Sequence, residues 1–170
     1  MKKSLIIFFS LITSIGWCQS KITPTEEFTI SGKIKKELKI TVSDLSKYKE
    51  VVVGNLIVSN HLGEIKDTAK GLKGVLLKDI LTQVEFLAEK PKVLSEFCLV
   101  CVASDGYKVV FSWNELFNTE TGNHVYLITE KNGTKAGELG ERIVLVSTTD
   151  FKTGRRYLKG LSKILVERIQ

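Results

Sequence analysis

Asn60-His61-Leu62-Gly63-Glu64 places an imidazole three residues from a carboxylate in a polar stretch of the chain. Near neutral pH, His61 could serve as acid, base or metal ligand, provided a partner sits within hydrogen-bond reach; Glu64 is the candidate partner and Asn60 a neighbouring polar group. A plain surface histidine is the other reading. Asp105-Gly106-Tyr107 offers polar groups on a turn that can line a pocket edge. The alternative is a turn made by Asp105-Gly106, with Tyr107 as a cross-strand packing aromatic. Arg142, with Arg155 and Arg156, supplies guanidinium forks for an anion such as phosphate or a carboxylate, or else for structural ion pairs. Cys98 and Cys101 are spaced C-x-x-C, which invites a redox or zinc reading. Their context, FCLVCVA, reads as a strand buried on both faces, where residues three apart lie roughly 10 Å from each other. A disulfide needs Cα atoms within about 7 Å, so these thiols read as small buried hydrophobes. No nucleotide-binding glycine loop or Gly-x-Ser-x-Gly elbow is present, and His61 and His124 are too few for a histidine-rich metal cluster.

The ends and composition bound what surrounds these groups. Lys2-Lys3, an apolar run from Leu5 to Ile15 and Gly16-Trp17-Cys18 before Gln19 have the layout of a secretory signal, residues 1–18, leaving 19–170 as one domain. A lipid anchor on Cys18 is disfavoured by bulky Trp17, where such signals take a small residue. No other run approaches the roughly 20 apolar residues of a membrane span. The expected location is therefore the periplasm or the extracellular space. The formal net charge is +6, and loss of Lys2 and Lys3 leaves +4. Lysines alternate with acids instead of clustering, which argues against a nucleic-acid partner.

Several elements must position the candidates. Residues 28–34 and 38–41 alternate apolar with polar and predict a half-buried hairpin, followed by a short helix that Ser43 caps. Residues 50–58 predict a strand with a bulge at Gly54. The polar run 61–70 predicts a loop, and the spacing of Val75, Leu76, Ile80, Leu81 and Val84 predicts a helix over 75–86. Strands are predicted at 97–104 and 107–111, joined across Asp105-Gly106. Ser112-Trp113-Asn114-Glu115 matches a capping box opening another short helix, with Trp113 packed in the core. Strands at 125–129, 143–147 and 164–169, with a turn at Asn132-Gly133, complete an α+β domain of many short strands and two or three short helices. Asn132-Gly133-Thr134 also matches the glycosylation pattern, for which the turn reading suffices.

Taken together, KGLKGVLLKDIL at 70–81 and CLVCVASDGYKVVFSWNEL at 98–116 resemble the core of the sulfite-oxidase-type molybdopterin-binding domain family. The likeness extends to ISGKIKKELKITVSDL near the start and to GERIVLV and RYLKGL near the end, where Arg142 matches an arginine of the family and Glu141 stands where the family has proline. It implies a single α+β domain of short mixed and antiparallel strands, and an oxidoreductase holding molybdopterin. The family's metal enzymes carry a molybdenum-ligating cysteine upstream of the Gly-Val-x-Leu-x-Asp-x-Leu segment. Here that region reads VVVGNLIVSNHLGE, and Ser59 or Asn60 cannot replace a soft thiolate. Exported molybdenum enzymes of this type usually use a twin-arginine leader, whereas this leader carries lysines only. The expectation is an exported module of this fold, without molybdenum or other cofactor, that binds a small anionic ligand or an envelope protein partner through Asn60, His61, Glu64, Asp105, Tyr107 and Arg142. The alternative is a molybdopterin-dependent oxidoreductase or a subunit of one.

Overall fold

Alternation of apolar and polar residues along short β-rich segments gives each strand one face to bury, and two sheets packed face to face satisfy that requirement. A computed structural model describes residues 22–169. The leader, Cys18 and the Gln19 cleavage point lie outside the described residues. Among the described residues the strands are β1 (Glu27–Gly32), β2 (Leu38–Thr41), β3 (Val51–Ser59), β4 (Ile65–Leu76), β5 (Phe97–Ala103), β6 (Lys108–Ser112), β7 (Val125–Lys131), β8 (Thr134–Lys135), β9 (Val144–Ser147), β10 (Leu158–Lys159) and β11 (Leu161–Arg168). Two short helices, α1 (Leu77–Leu81) and α2 (Trp113–Phe117), and several single turns of 3-10 helix link them.

One sheet runs β2-β1-β11-β5-β6, and the other runs β10-β9-β7-β4-β3 with β8 beside β7. The β1–β11 pair is parallel; the other pairings are antiparallel. The main core lies between the sheets, where Phe28, Ile30, Leu99, Phe111 and Ile164 meet Val75, Leu127 and Leu145. A second apolar cluster, including Leu56, Leu72, Ile128, Val146 and Tyr157, forms on the other face of the second sheet. There the Thr153 hydroxyl closes a gap: it accepts from the Ser59 N–H at 3.0 Å and donates to the Ile57 carbonyl at 2.6 Å. The chain entering β10 at one edge of that sheet thus also touches β3 at the opposite edge.

The predicted hairpins and the Asp105-Gly106 turn are present. Gly106 takes φ +86° at the end of a turn closed by its own N–H to the Ala103 carbonyl, a conformation an L side chain resists. β3 bulges around Gly54, and Asn132 and Gly133 both take positive φ at the β7–β8 turn. The capping box is complete, with the Ser112 hydroxyl accepting from Glu115 N–H and the Glu115 carboxylate accepting from Ser112 N–H. Trp113 is half-buried against the core and stacks on Phe117 at 5.0 Å.

Four expectations need correction. The loop expected over 61–70 ends at Glu64: β4 begins at Ile65, and residues 66–68 are polar because that hairpin arm meets solvent on both faces. The helix over 75–86 shrinks to Leu77–Leu81, because Val75 and Leu76 end β4. A strand buried on both faces is continuously apolar and mimics a buried helix. Gly74 belongs to that strand; a Cβ there would lie 2.8 Å from the Leu127 carbonyl, so only glycine lets β4 approach β7 so closely. Ser43 does not cap the 3-10 turn Ser43–Lys47; instead Asp44 accepts from Thr41 N–H at 2.8 Å. Finally, β5 is buried on both faces only at its Val102 end, while Cys98 and Val100 are half-buried.

Candidate functional site

The end of β3, the loop leading to β4 and the segment before β10 converge. Val58, Ser59, Asn60, His61, Lys66, Gly154 and Arg155 line an open hollow of about 510 Å³. Asn60 builds its rim. Its Oδ1 accepts from the N–H groups of Leu62 and Glu64, both at 3.0 Å, and its Nδ2 donates to Glu64 Oε2 at 2.8 Å. Glu64 is therefore held by Asn60, and also by Lys66 Nζ at 3.0 Å, with its pKa lowered first by Lys66 and then by Asn60. These contacts make Glu64 a loop fastener, while His61 is exposed at the hollow's edge.

Tyr107 reaches the same region from the other sheet. Its hydroxyl donates to the Arg155 carbonyl at 2.6 Å, so it works as a strap between the β5–β6 turn and the segment before β10. It is 43% exposed, which removes the packing-aromatic reading. Asp105 Oδ1 accepts from Tyr107 N–H at 2.9 Å and shapes the turn. Arg142 is not part of this assembly: its guanidinium pairs with Glu26, and its N–H donates to the Leu139 carbonyl. The structure thus brings Asn60 and His61 together directly and Tyr107 through Arg155, and leaves Arg142 apart.

Arg156 is structural. It grips Asp150 with two hydrogen bonds at 2.7 and 2.6 Å, reaches Glu115 of α2 at 3.0 Å and lies 4.5 Å from the Phe111 ring centroid. Its pKa is raised, chiefly by the Asp150 hydrogen bonds. Asp150 also accepts from the Ser147 hydroxyl. Fixing Asp150 and Arg156 leaves Lys152 and Arg155 on the outside of the loop. The Lys152 ammonium lies against Gly63, and Arg155 is shared with a second hollow of about 450 Å³ beside Phe151 and Thr121. Lys66, Lys152 and Thr153 escaped the sequence reading. The signal was present in DFKTGRR, where a lone phenylalanine stands among charges in an otherwise polar loop.

The donor set at the end of β3 offers hydroxyl, amide and imidazole groups, and no thiolate. Cys98 and Cys101 are free and lie in β5 of the other sheet. Cys101 is fully buried, and desolvation pushes its pKa up to about 12. Desolvation, aided by Glu167, also raises Cys98. Among the described residues no group of three or more His, Cys, Asp or Glu is placed to hold a metal ion. These residues do not fit the thiolate-ligated molybdenum centre that the resemblance implies. What the hollow can do chemically is hold an anion: Arg155 and the Glu64-paired Lys66 line it, Lys152 stands nearby against Gly63, and imidazole and amide groups stand at the rim.

No family model and no curated protein matches the chain. Among solved structures it is similar to the sulfane dehydrogenase SoxCD of Paracoccus pantotrophus, with a TM-score of 0.55 and 14% identity over 82% of this chain. The match spans 37% of that protein's chain, and at this identity the likeness is one of fold.

Proposed function

We propose that a fold shared with a sulfane dehydrogenase here serves as a binding module without molybdenum, taking a small anionic ligand such as a phosphate or carboxylate in the hollow beside His61 and Arg155. The observation that carries this reading is the chemistry at the end of β3: cationic and amide groups converge where the resemblance calls for a thiolate. Arg155 supplies the fork and Tyr107 positions it; His61 and Asn60 contribute polar contacts at the rim. Read as a secretory leader, residues 1–18 would put the protein in the cell envelope, where a protein partner could present such an anion. No helix among the described residues is long and apolar enough to cross a membrane.

The second reading is a molybdopterin-dependent oxidoreductase, or a subunit of one, and the likeness to SoxCD is what favours it. The deciding experiment is elemental analysis for molybdenum and tungsten, with fluorescence of released oxidised pterin, on protein isolated from its native location. Near-stoichiometric metal and pterin would replace the first reading with the second. If both are absent, titration with inorganic phosphate should give saturable binding that Arg155→Ala abolishes.

A further inference from the structure

Two loop tips meet beside the hollow and carry side chains the core does not use. Phe151 is 100% exposed and Leu62 is 67% exposed. The tips adjoin, because the Lys152 ammonium next to Phe151 lies against Gly63 next to Leu62. Neither tip is loosely built. Phe151 is bracketed by Asp150, clamped to Arg156, and by Thr153, bonded to β3. Leu62 donates its N–H to Asn60 Oδ1 inside a turn closed by Gly63 N–H to the Asn60 carbonyl. A fully exposed phenylalanine on an anchored loop serves no folding purpose, and large exposed apolar groups ringed by polar ones mark contact surfaces.

The charges around the tips have one sign left over. Glu64 is paired with Lys66 and Asp150 with Arg156, so these two acids are neutralised within the protein. Lys152 and Arg155 remain, with His61 beside them. An amphipathic peptide would want its apolar groups received in a concave seat, whereas here Phe151 and Leu62 project. Projecting apolar side chains backed by cations are the arrangement by which a protein enters the headgroup layer of an anionic bilayer.

The geometry points to peripheral docking on an anionic lipid surface, with Phe151 and Leu62 entering the interface and Lys152 and Arg155 meeting lipid phosphates. The claim goes beyond the anion-binding reading, and a different pair of residues tests it. The chain from Gln19 to Gln170, which carries every described residue, would be sedimented with vesicles of phosphatidylglycerol and phosphatidylcholine in equal parts and with phosphatidylcholine alone. Binding is expected to the anionic vesicles only, to weaken with salt, to fall about tenfold or more in Leu62→Ala/Phe151→Ala, and to fall about fivefold in Lys152→Ala. Both apolar positions are exposed, so circular dichroism of the double variant should match the parent. No binding to anionic vesicles, or equal binding by the double variant, overturns the proposal. Saturable binding of inorganic phosphate without vesicle binding would leave the anion reading standing and remove this one.

Discussion

Replacing Thr153 with valine changes almost no volume and removes only a hydroxyl that serves two backbone groups of β3. The hydroxyl accepts from Ser59 N–H at 3.0 Å and donates to the Ile57 carbonyl at 2.6 Å, in a residue only 9% exposed. Two hydrogen bonds at about 1 kcal/mol each, with two backbone groups left unpaired, give an expected loss of about 2–3 kcal/mol. For a domain of this size, that corresponds to a fall in Tm of about 4–12 °C. Thr153→Ser keeps the hydroxyl and loses one methyl group, so its cost should stay near 1 kcal/mol. Thermal and urea unfolding of both variants measures the difference. Amide exchange at Ser59 provides a local check, rising in the valine variant and not in the serine variant. Equal midpoints for the two variants would refute the claim that this hydroxyl closes the sheet.

Three further outcomes are expected. Arg156→Met strands the Asp150 carboxylate and should cost about 3 kcal/mol by urea unfolding, a loss that shrinks when Asp150→Asn is added. Tyr107→Phe should cost only about 0.5–1 kcal/mol of stability, yet weaken phosphate binding in titration; unchanged affinity would remove the strap role. Cys98 and Cys101 should remain thiols by mass spectrometry, with Cys101 unreactive towards Ellman's reagent until the protein unfolds. Burial pushes the Cys101 thiol up to about 12 when folded, against about 8.5 when unfolded. Stability should therefore fall as pH rises through that window, and Cys101→Ala should flatten the alkaline limb of the unfolding profile.

Where the chain's local rules and its tertiary surroundings agree, the sequence is readable. The Ser112–Glu115 capping box, the Asp105-Gly106 turn and the Gly54 bulge depend on neighbours within a few residues, and all are present. β4 was not readable, because its outer half is mostly polar apart from Ile65 and Ala69 and its inner half runs Gly-Leu-Lys-Gly-Val-Leu, so neither half shows the clean alternation that marks a strand. The site was half legible for a related reason. The loop 60–64 stands out by composition, but Asn60 and Glu64 fasten each other, a division of roles that only geometry reveals. Arg142 and Arg155 look alike in sequence. Glu26, 116 residues away, occupies the first, and nothing local foretells it.

The parallel β1–β11 pair has a consequence for how the protein comes into being. β11, the last strand among the described residues, lies between β1 and β5 in the middle of its sheet. The β1–β2 hairpin therefore waits for the final residues before its inner edge has a partner, and every path to the finished sheet spans nearly the whole chain. Such high contact order makes folding slow. On the ribosome, β11 emerges only after β1–β10 have been made, so the sheet stays open until residues 161–168 are synthesised. The same placement also means that trimming the C-terminus back to Gly160 would remove the centre of a sheet, and the remainder should be a protease-sensitive chain.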